Sequence, residues 1–145
     1  SHTGEESVEQ LKDLVDYVII GHSERIDDFH EDEDQLKRKV IQAQKGGIEP
    51  IFCVQGIENN IPEGVRMIAF EPLENIGSGN TSPLEQIEKV ALFYKKERGI
   101  HYCLYGGSVT HTTVSNITSL PSIDGVLVGG ASLDPGDFSR IVMNA

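Results

Sequence analysis

Three separated segments of the chain hold residue types that suit proton transfer on a phosphorylated substrate. The first contains His22, the second contains Glu71 followed by glycines at 77 and 79, and the third comprises glycine pairs at 106–107 and 129–130. Each segment follows a short apolar run, so each is predicted to lie at the end of a β-strand. A carboxylate and an imidazole can move protons, and a glycine-rich backbone can approach a phosphate closely.

The apolar runs alternate with amphipathic stretches, a pattern typical of parallel strands covered on both faces. The predicted strands are residues 17–21, 50–54, 67–71, 102–105 and 125–128. The predicted helices are residues 7–14, 34–45, 82–98, 113–120 and 137–143. Ser82 is the predicted N-cap of its helix, with Pro83 at the first helical position and Glu85 completing a capping box. The link 56–64 is too short and too polar for a crossover helix.

Composition predicts one domain, residues 1–145, in an ordinary acidic globular protein. The net charge of −11 argues against binding to nucleic acid or an anionic membrane. No apolar run approaches about 20 residues and no basic-then-apolar leader is present, which predicts a cytoplasmic protein without a membrane span. Cys53 and Cys103 stand alone inside apolar strands, so they are predicted to be buried, reduced thiols.

The basic residues limit how the chain could bind a phosphate. Arg140 is the only basic residue after Arg98, so backbone N–H groups, rather than a cationic cluster, must supply the predicted phosphate site. Every lysine falls in a helix-like stretch: Lys12, Lys37, Lys39, Lys45, Lys89, Lys95 and Lys96. No lysine is therefore predicted at a strand end. The acidic run 31–34 is predicted to be a helix N-terminus, where negative charge is favourable.

Four motifs together resemble the triosephosphate isomerase family. They are GHSER at 21–25, FEP with IGSG at 70–79, YGGSV at 105–109 and DGVLVGGASLDP at 124–135. The resemblance spans nearly the whole chain. It implies an α/β fold, a (β/α)₈ TIM barrel, that interconverts dihydroxyacetone phosphate and glyceraldehyde 3-phosphate in glycolysis and gluconeogenesis, without cofactor or metal. By these motifs the chain corresponds to five parallel βα units, strands 4–8, without strands 1–3.

The resemblance also implies the roles of individual residues. Glu71 would be the catalytic base and His22 the neutral electrophile that polarises the carbonyl, roles described for this family. Glu24 would neighbour the family's catalytic lysine, which belongs to the strands before this region. The implied phosphate-binding residues are Gly77, Ser108, Gly129 and Gly130.

Two features depart from the common form of the family. The run C-x-G-E is here Cys53-Val54-Gln55-Gly56. The short link 56–64 and Glu74 resemble compact archaeal members.

A five-stranded part of a barrel would leave two open edges and an uncovered apolar face. We therefore expect association, either with further copies of the chain or with a complementing N-terminal segment that supplies strands 1–3. Loss of one preorganised electrostatic donor costs about 3–4 kcal/mol of transition-state stabilisation, so the chain alone is predicted to be weakly active or inactive. The alternatives are a non-catalytic phosphate-ligand binder and a self-assembling structural fragment.

Overall fold

The protein was analysed as a computed structural model that describes residues 6–72 and 81–145. Its centre is a five-stranded, all-parallel sheet whose spatial order follows the chain, β1 to β5. The strands are β1 (Tyr17–Ile20), β2 (Glu49–Val54), β3 (Met67–Phe70), β4 (Tyr102–Tyr105) and β5 (Gly125–Val126). Each predicted strand is confirmed, with its bounds shifted by at most two residues. The sheet is not closed, because among the described residues β1 and β5 each pair on one side only.

Six helices connect and cover the strands in the described part of the chain. They are α1 (Val8–Leu11), α2 (Ser23–Phe29), α3 (Glu33–Lys45), α4 (Leu84–Arg98), α5 (Val114–Thr118) and α6 (Pro135–Asn144). A short 3₁₀ turn, Gly130–Leu133, precedes α6. The connection from β2 to β3 holds no helix, as its length predicted. The motifs did not predict α2, which begins directly after His22.

The two faces of the sheet differ sharply in burial. The row Ile20, Phe52, Ile68 and Cys103 runs across four strands in register and is at most 5% exposed. The Cys103 thiol in this row lies 3.7 Å from the carbonyl oxygen of Ala91 in α4, so this face packs against the helices. We call it the outer face.

The opposite side, here called the inner face, is uncovered in part. The adjacent row is Ile19, Ile51, Met67 and Tyr102, and its two outermost members are 40% and 51% exposed. Tyr17, two residues before Ile19, is 54% exposed. An apolar surface of this kind in a monomer marks a place where another element packs. The exposed apolar side chains agree with the uncovered apolar face expected for part of a barrel, although the strand pattern by itself had indicated cover on both faces.

The start of α4 also differs from the prediction. Pro83 is the N-cap, and no side chain caps this helix, so the expected roles of Ser82 and Glu85 in a capping box are wrong. The reason is a tertiary contact. The backbone N–H of Ser82 donates to the buried Tyr105 hydroxyl at 2.9 Å, and this holds Ser82 at the end of β4.

The acidic run splits between two tasks. Asp32 is the N-cap of α3 and forms a capping box with Gln35, which confirms the predicted helix N-terminus. Glu31, the first residue of the run, is instead buried and accepts hydrogen bonds from Arg25 and Lys39.

Candidate active site

The strand ends bring His22 and Glu71 together. His22 follows β1 and Glu71 follows β3, and Nε2 of His22 lies 3.6 Å from Oε1 of Glu71. The C-terminal ends of parallel strands meet at one edge of a sheet, where sites in this class of fold are built. The fold therefore brings His22 and Glu71 close together, although almost fifty residues separate them in the sequence.

A backbone hydrogen bond fixes the form of His22. Its Nδ1 accepts the N–H of Glu24 at 3.2 Å, and His22 serves as N-cap of α2. An accepting Nδ1 carries no proton, so the neutral imidazole holds its proton on Nε2. Nε2 is the atom that faces Glu71, and it can therefore donate a hydrogen bond into the space between them.

Glu71 is a buried carboxylate without a salt-bridging lysine or arginine among the described residues. It is 1% exposed, and its Oε2 has no hydrogen-bond partner there. The pKa of Glu71 is raised, and the main cause is burial. His22, the Cys53 thiol and the Ser23 backbone lower this pKa by less, and the charge of Glu24 raises it further. A carboxylate shifted in this direction is a stronger base than an exposed one, and such shifts cluster at functional sites.

Two neighbours of Glu71 were missed by the motif analysis. Burial, followed by the charge of Glu71, raises the pKa of the Cys53 thiol well above its ordinary value of 9.0, so Cys53 stays protonated. A Cβ on Gly106 would lie 2.7 Å from Cγ of Glu71. The missing side chain of Gly106 therefore makes room for Glu71. The alternation of residues along β2 and β4 could have indicated both contacts.

The second glycine of the same pair has a comparable role. A Cβ on Gly107 would lie 2.1 Å from the Tyr105 hydroxyl, the group that accepts the N–H of Ser82. Tyr105 is fully buried. Its hydroxyl in addition ties the start of the α4 region to the end of β4.

Three of the four predicted phosphate-binding residues, Ser108, Gly129 and Gly130, lie in the segments that follow β4 and β5. Ser108 accepts a hydrogen bond through its carbonyl from the Thr81 hydroxyl at 2.8 Å. Gly129 and Gly130 follow β5 and are exposed, and a Cβ on either would meet no atom within 4 Å. Open space before these two backbones leaves room for a ligand. Gly77 lies outside the described residues, so its role remains a prediction.

Other predicted features are found as follows. Glu24 lies in the first turn of α2 and is half-buried. Every lysine of the chain lies in or at the end of a helix, so none stands at a strand end, as predicted. Cys53 and Cys103 are buried and free, as expected. In the described ranges, no cluster of three or more His, Cys, Asp or Glu is placed to hold a metal ion. None of the described helices is long and apolar enough to cross a membrane.

These features define an α/β protein that contains part of a TIM barrel, with a histidine and a buried carboxylate close together at the C-terminal ends of its strands. The triosephosphate isomerase family model matches residues 1–65 and 63–145. The two matches meet in the helix-free connection between β2 and β3. The chain belongs to the triosephosphate isomerase family.

Individual relatives agree with that assignment. The chain is 39% identical to the triosephosphate isomerase of Mesomycoplasma hyopneumoniae (strain 232), over 99% of the chain and 68% of the relative. It is 38% identical to the protein of that name from Thermodesulfovibrio yellowstonii, over 98% of the chain and 70% of the relative. The first alignment runs over 165 positions, although the chain has 145 residues. The relative therefore holds residues that this chain lacks within the matched region. The predicted likeness to archaeal members remains a prediction.

Proposed function

We propose that this chain carries the base and the electrophile of a triosephosphate isomerase that interconverts dihydroxyacetone phosphate and glyceraldehyde 3-phosphate. The observation that carries the proposal is the 3.6 Å approach of His22 Nε2 to the buried Glu71 carboxylate. The proposal includes the role in glycolysis and gluconeogenesis and the cytoplasmic location expected from the sequence.

The proposed reaction needs only proton transfers. Glu71 removes a proton from the carbon beside the carbonyl, and the electron pair of that C–H bond forms the C=C bond of an enediolate. Nε2–H of His22 donates a hydrogen bond to the oxygen that gains charge. Glu71 then returns the proton to the neighbouring carbon, while the hydroxyl proton on the first carbon is transferred to the oxygen that gained charge, so that the carbonyl re-forms on the first carbon. A raised pKa suits this cycle, because a general base works best when its pKa lies near the operating pH.

Substrate binding is proposed to rely on backbone groups. A Cβ on Gly129 or Gly130 would meet no atom within 4 Å, and Ser108 lies in the segment that follows the neighbouring strand β4. We assign the phosphate to these three residues together with Gly77. Binding through backbone N–H groups accounts for an anion site in a strongly acidic chain.

Closing the site requires further protein. The inner face exposes Tyr17, Ile19 and Tyr102, and no lysine reaches the strand ends. We propose that either further copies of the chain or a segment with three additional βα units covers this face. Glu24 would then neighbour a lysine supplied by that segment. The chain alone should turn over substrate very slowly.

An assay of triose phosphate isomerisation tests the proposal. The chain would be assayed alone and mixed with the first three βα units of the Mesomycoplasma relative, while light scattering measures its mass. We expect complementation to raise turnover and Glu71→Gln to lower it by roughly 10²–10⁴-fold. Glu85→Gln, on the exposed side of α4, is the matched control. Equal turnover in the two variants would refute the assignment of Glu71 as the base.

Two other functions each have one observation in their favour. The open space at Gly129 and Gly130 fits a non-catalytic binder of phosphate ligands. The exposed residues of the inner face fit a self-assembling structural fragment. Binding of glycerol phosphate without turnover in any mixture would support the binder. A stable oligomer with neither binding nor turnover would support the fragment.

A further inference from the structure

Gln55 lies in the same cross-strand row as Glu71. Val54 of β2 pairs with Phe70 of β3, and the N–H of Glu71 donates to the Val54 carbonyl at 2.7 Å. Gln55 and Glu71 are the next residues along their strands, so the register places them side by side. Gly106 continues the row, since its missing Cβ makes room for Glu71.

The alternation of side chains puts Gln55 on the inner face. Val54 belongs to the buried core, and the carbonyl of Gly56 accepts the Tyr94 hydroxyl of α4 at 2.6 Å. Residues 54 and 56 thus face the helices. The side chains of Cys53 and Glu71 form a hydrogen bond, so Cys53 faces the side opposite to the helices. Gln55, two residues after Cys53, shares its face.

The amide of Gln55 is held in one orientation by Asn59. Oδ1 of Asn59 accepts the backbone N–H groups of Gln55 and Gly56 at 2.9 and 3.0 Å, so its Nδ2 must be a donor. That Nδ2 donates to Oε1 of Gln55 at 3.0 Å. Gln55 therefore presents Nε2 as its remaining group, and this choice of amide orientation follows from the backbone donors.

Two unsatisfied polar atoms thus belong to neighbouring residues of one row. Nε2 of Gln55 and Oε2 of Glu71 are both buried, and neither has a hydrogen-bond partner in the described residues. One is a donor and the other an acceptor. Buried polar groups left unpaired are rare and costly, so a small side-chain adjustment or one water molecule that joins them would be favourable.

We propose that the Gln55 amide is the hydrogen-bond donor to the Glu71 carboxylate, directly or through one water, and thereby positions the base. Gln55 acts through Glu71 and is a positioning residue. That Gln55 positions a catalytic base rests on the proposed function of Glu71. The family pattern has glycine at this place, and glycine could not supply such a donor.

Other groups also act on Glu71 and enter the test. The titratable neighbours are His22 before α2, Glu24 within α2 and Cys53 in β2. Gly106 of β4 contributes no ionisable side chain. Because a donor stabilises the ionised carboxylate, its removal should raise the pKa of Glu71.

The experiment measures the pKa of Glu71 by NMR of the chain labelled with ¹³C at glutamate Cδ, with Glu71→Gln to assign its signal. Gln55→Met keeps the length of the side chain and removes the donor, and we expect the pKa to rise by about one pH unit. Gln86→Leu, on the exposed surface of α4, should leave it unchanged. Gln55→Glu, which can keep the acceptor for Asn59, should raise the pKa further by placing a second carboxylate in the row.

An unchanged pKa in a folded Gln55→Met chain would overturn the proposal. If that variant fails to fold, an unchanged pKa in Gln55→Glu would overturn it equally. The NMR measurement needs no turnover, so it tests the role of Gln55 independently of the isomerase assay. In the complemented enzyme, the lower limb of the pH–rate profile should move to higher pH by the same amount in Gln55→Met.

Discussion

Two buried glutamates of this chain differ in the direction of their pKa shift. Glu31 is 8% exposed and lies between Arg25 and Lys39, whereas Glu71 is 1% exposed and faces His22 and the Cys53 thiol. Burial alone would raise the pKa of Glu31, but hydrogen bonds and charges from Lys39 and Arg25 outweigh it and hold the pKa below 4.5. Burial raises the pKa of Glu71.

The difference separates an ion-paired carboxylate from the proposed base. Glu31 is ionised and compensated, so it joins the end of α2 to α3 and has no proton to exchange near neutral pH. Glu71 is desolvated, and no lysine or arginine in residues 6–72 and 81–145 pairs with it, so its charged form is disfavoured and proton uptake is favoured. Both carboxylates are buried, but their pKa values shift in opposite directions because their neighbouring groups differ.

The largest expected effect is on stability, from Glu31→Gln. Arg25 is 6% exposed, and loss of the carboxylate would remove the charged acceptor of the hydrogen bond that its guanidinium donates to Glu31. Breaking a buried ion pair in this way costs about 3–5 kcal/mol. Urea unfolding at pH 7 measures the loss. It should shrink as pH falls below 4.5, because the native pKa of Glu31 is lowered and its contribution is lost as pH falls through that pKa.

Lys39 provides the control for this prediction. Its side chain is 44% exposed, so Lys39→Gln should cost less than about 1 kcal/mol. Equal losses in the Glu31 and Lys39 variants would show that the buried Arg25 is not the reason for the effect.

A smaller effect is expected when the space around Glu71 is reduced. In Gly106→Ala the new Cβ would lie 2.7 Å from Cγ of Glu71, and overpacking of this kind costs about 1–3 kcal/mol. Gly130→Ala, whose Cβ would meet no atom within 4 Å, should change the unfolding free energy by under about 0.5 kcal/mol.

A double-mutant cycle identifies the cause. The loss in Gly106→Ala should diminish in a Glu71→Ala background, where Cγ is absent. A loss of the same size in both backgrounds would mean that Gly106 is required by the backbone and not by Glu71.

The features that depend on local sequence patterns could be predicted from the sequence. Apolar runs predicted all five strands, and the motifs predicted that Glu71 and His22 would share a strand-end site. Sequence reasoning did not reach Glu31, whose cations come from two different helices. Nor did it reach the tertiary contact of Tyr105 with Ser82, which replaced the expected helix cap. Both depend on packing between elements distant in the chain.

The smallest expected effect has the opposite sign, because Glu71→Gln should stabilise the chain. The substitution removes a buried charge whose desolvation disfavours the ionised form, and relief of such a penalty is worth about 1 kcal/mol. The pH dependence follows from the raised native pKa. The native state holds the Glu71 proton more tightly than the unfolded state, so wild-type stability falls as pH rises from 4.5 through the native pKa. The advantage of Glu71→Gln over wild type should therefore be small near pH 4 and reach its full size at neutral pH or above, as measured by urea unfolding across that range. An advantage that grows as the solution is acidified would mean that Glu71 is held ionised like Glu31, and the contrast between the two carboxylates would disappear.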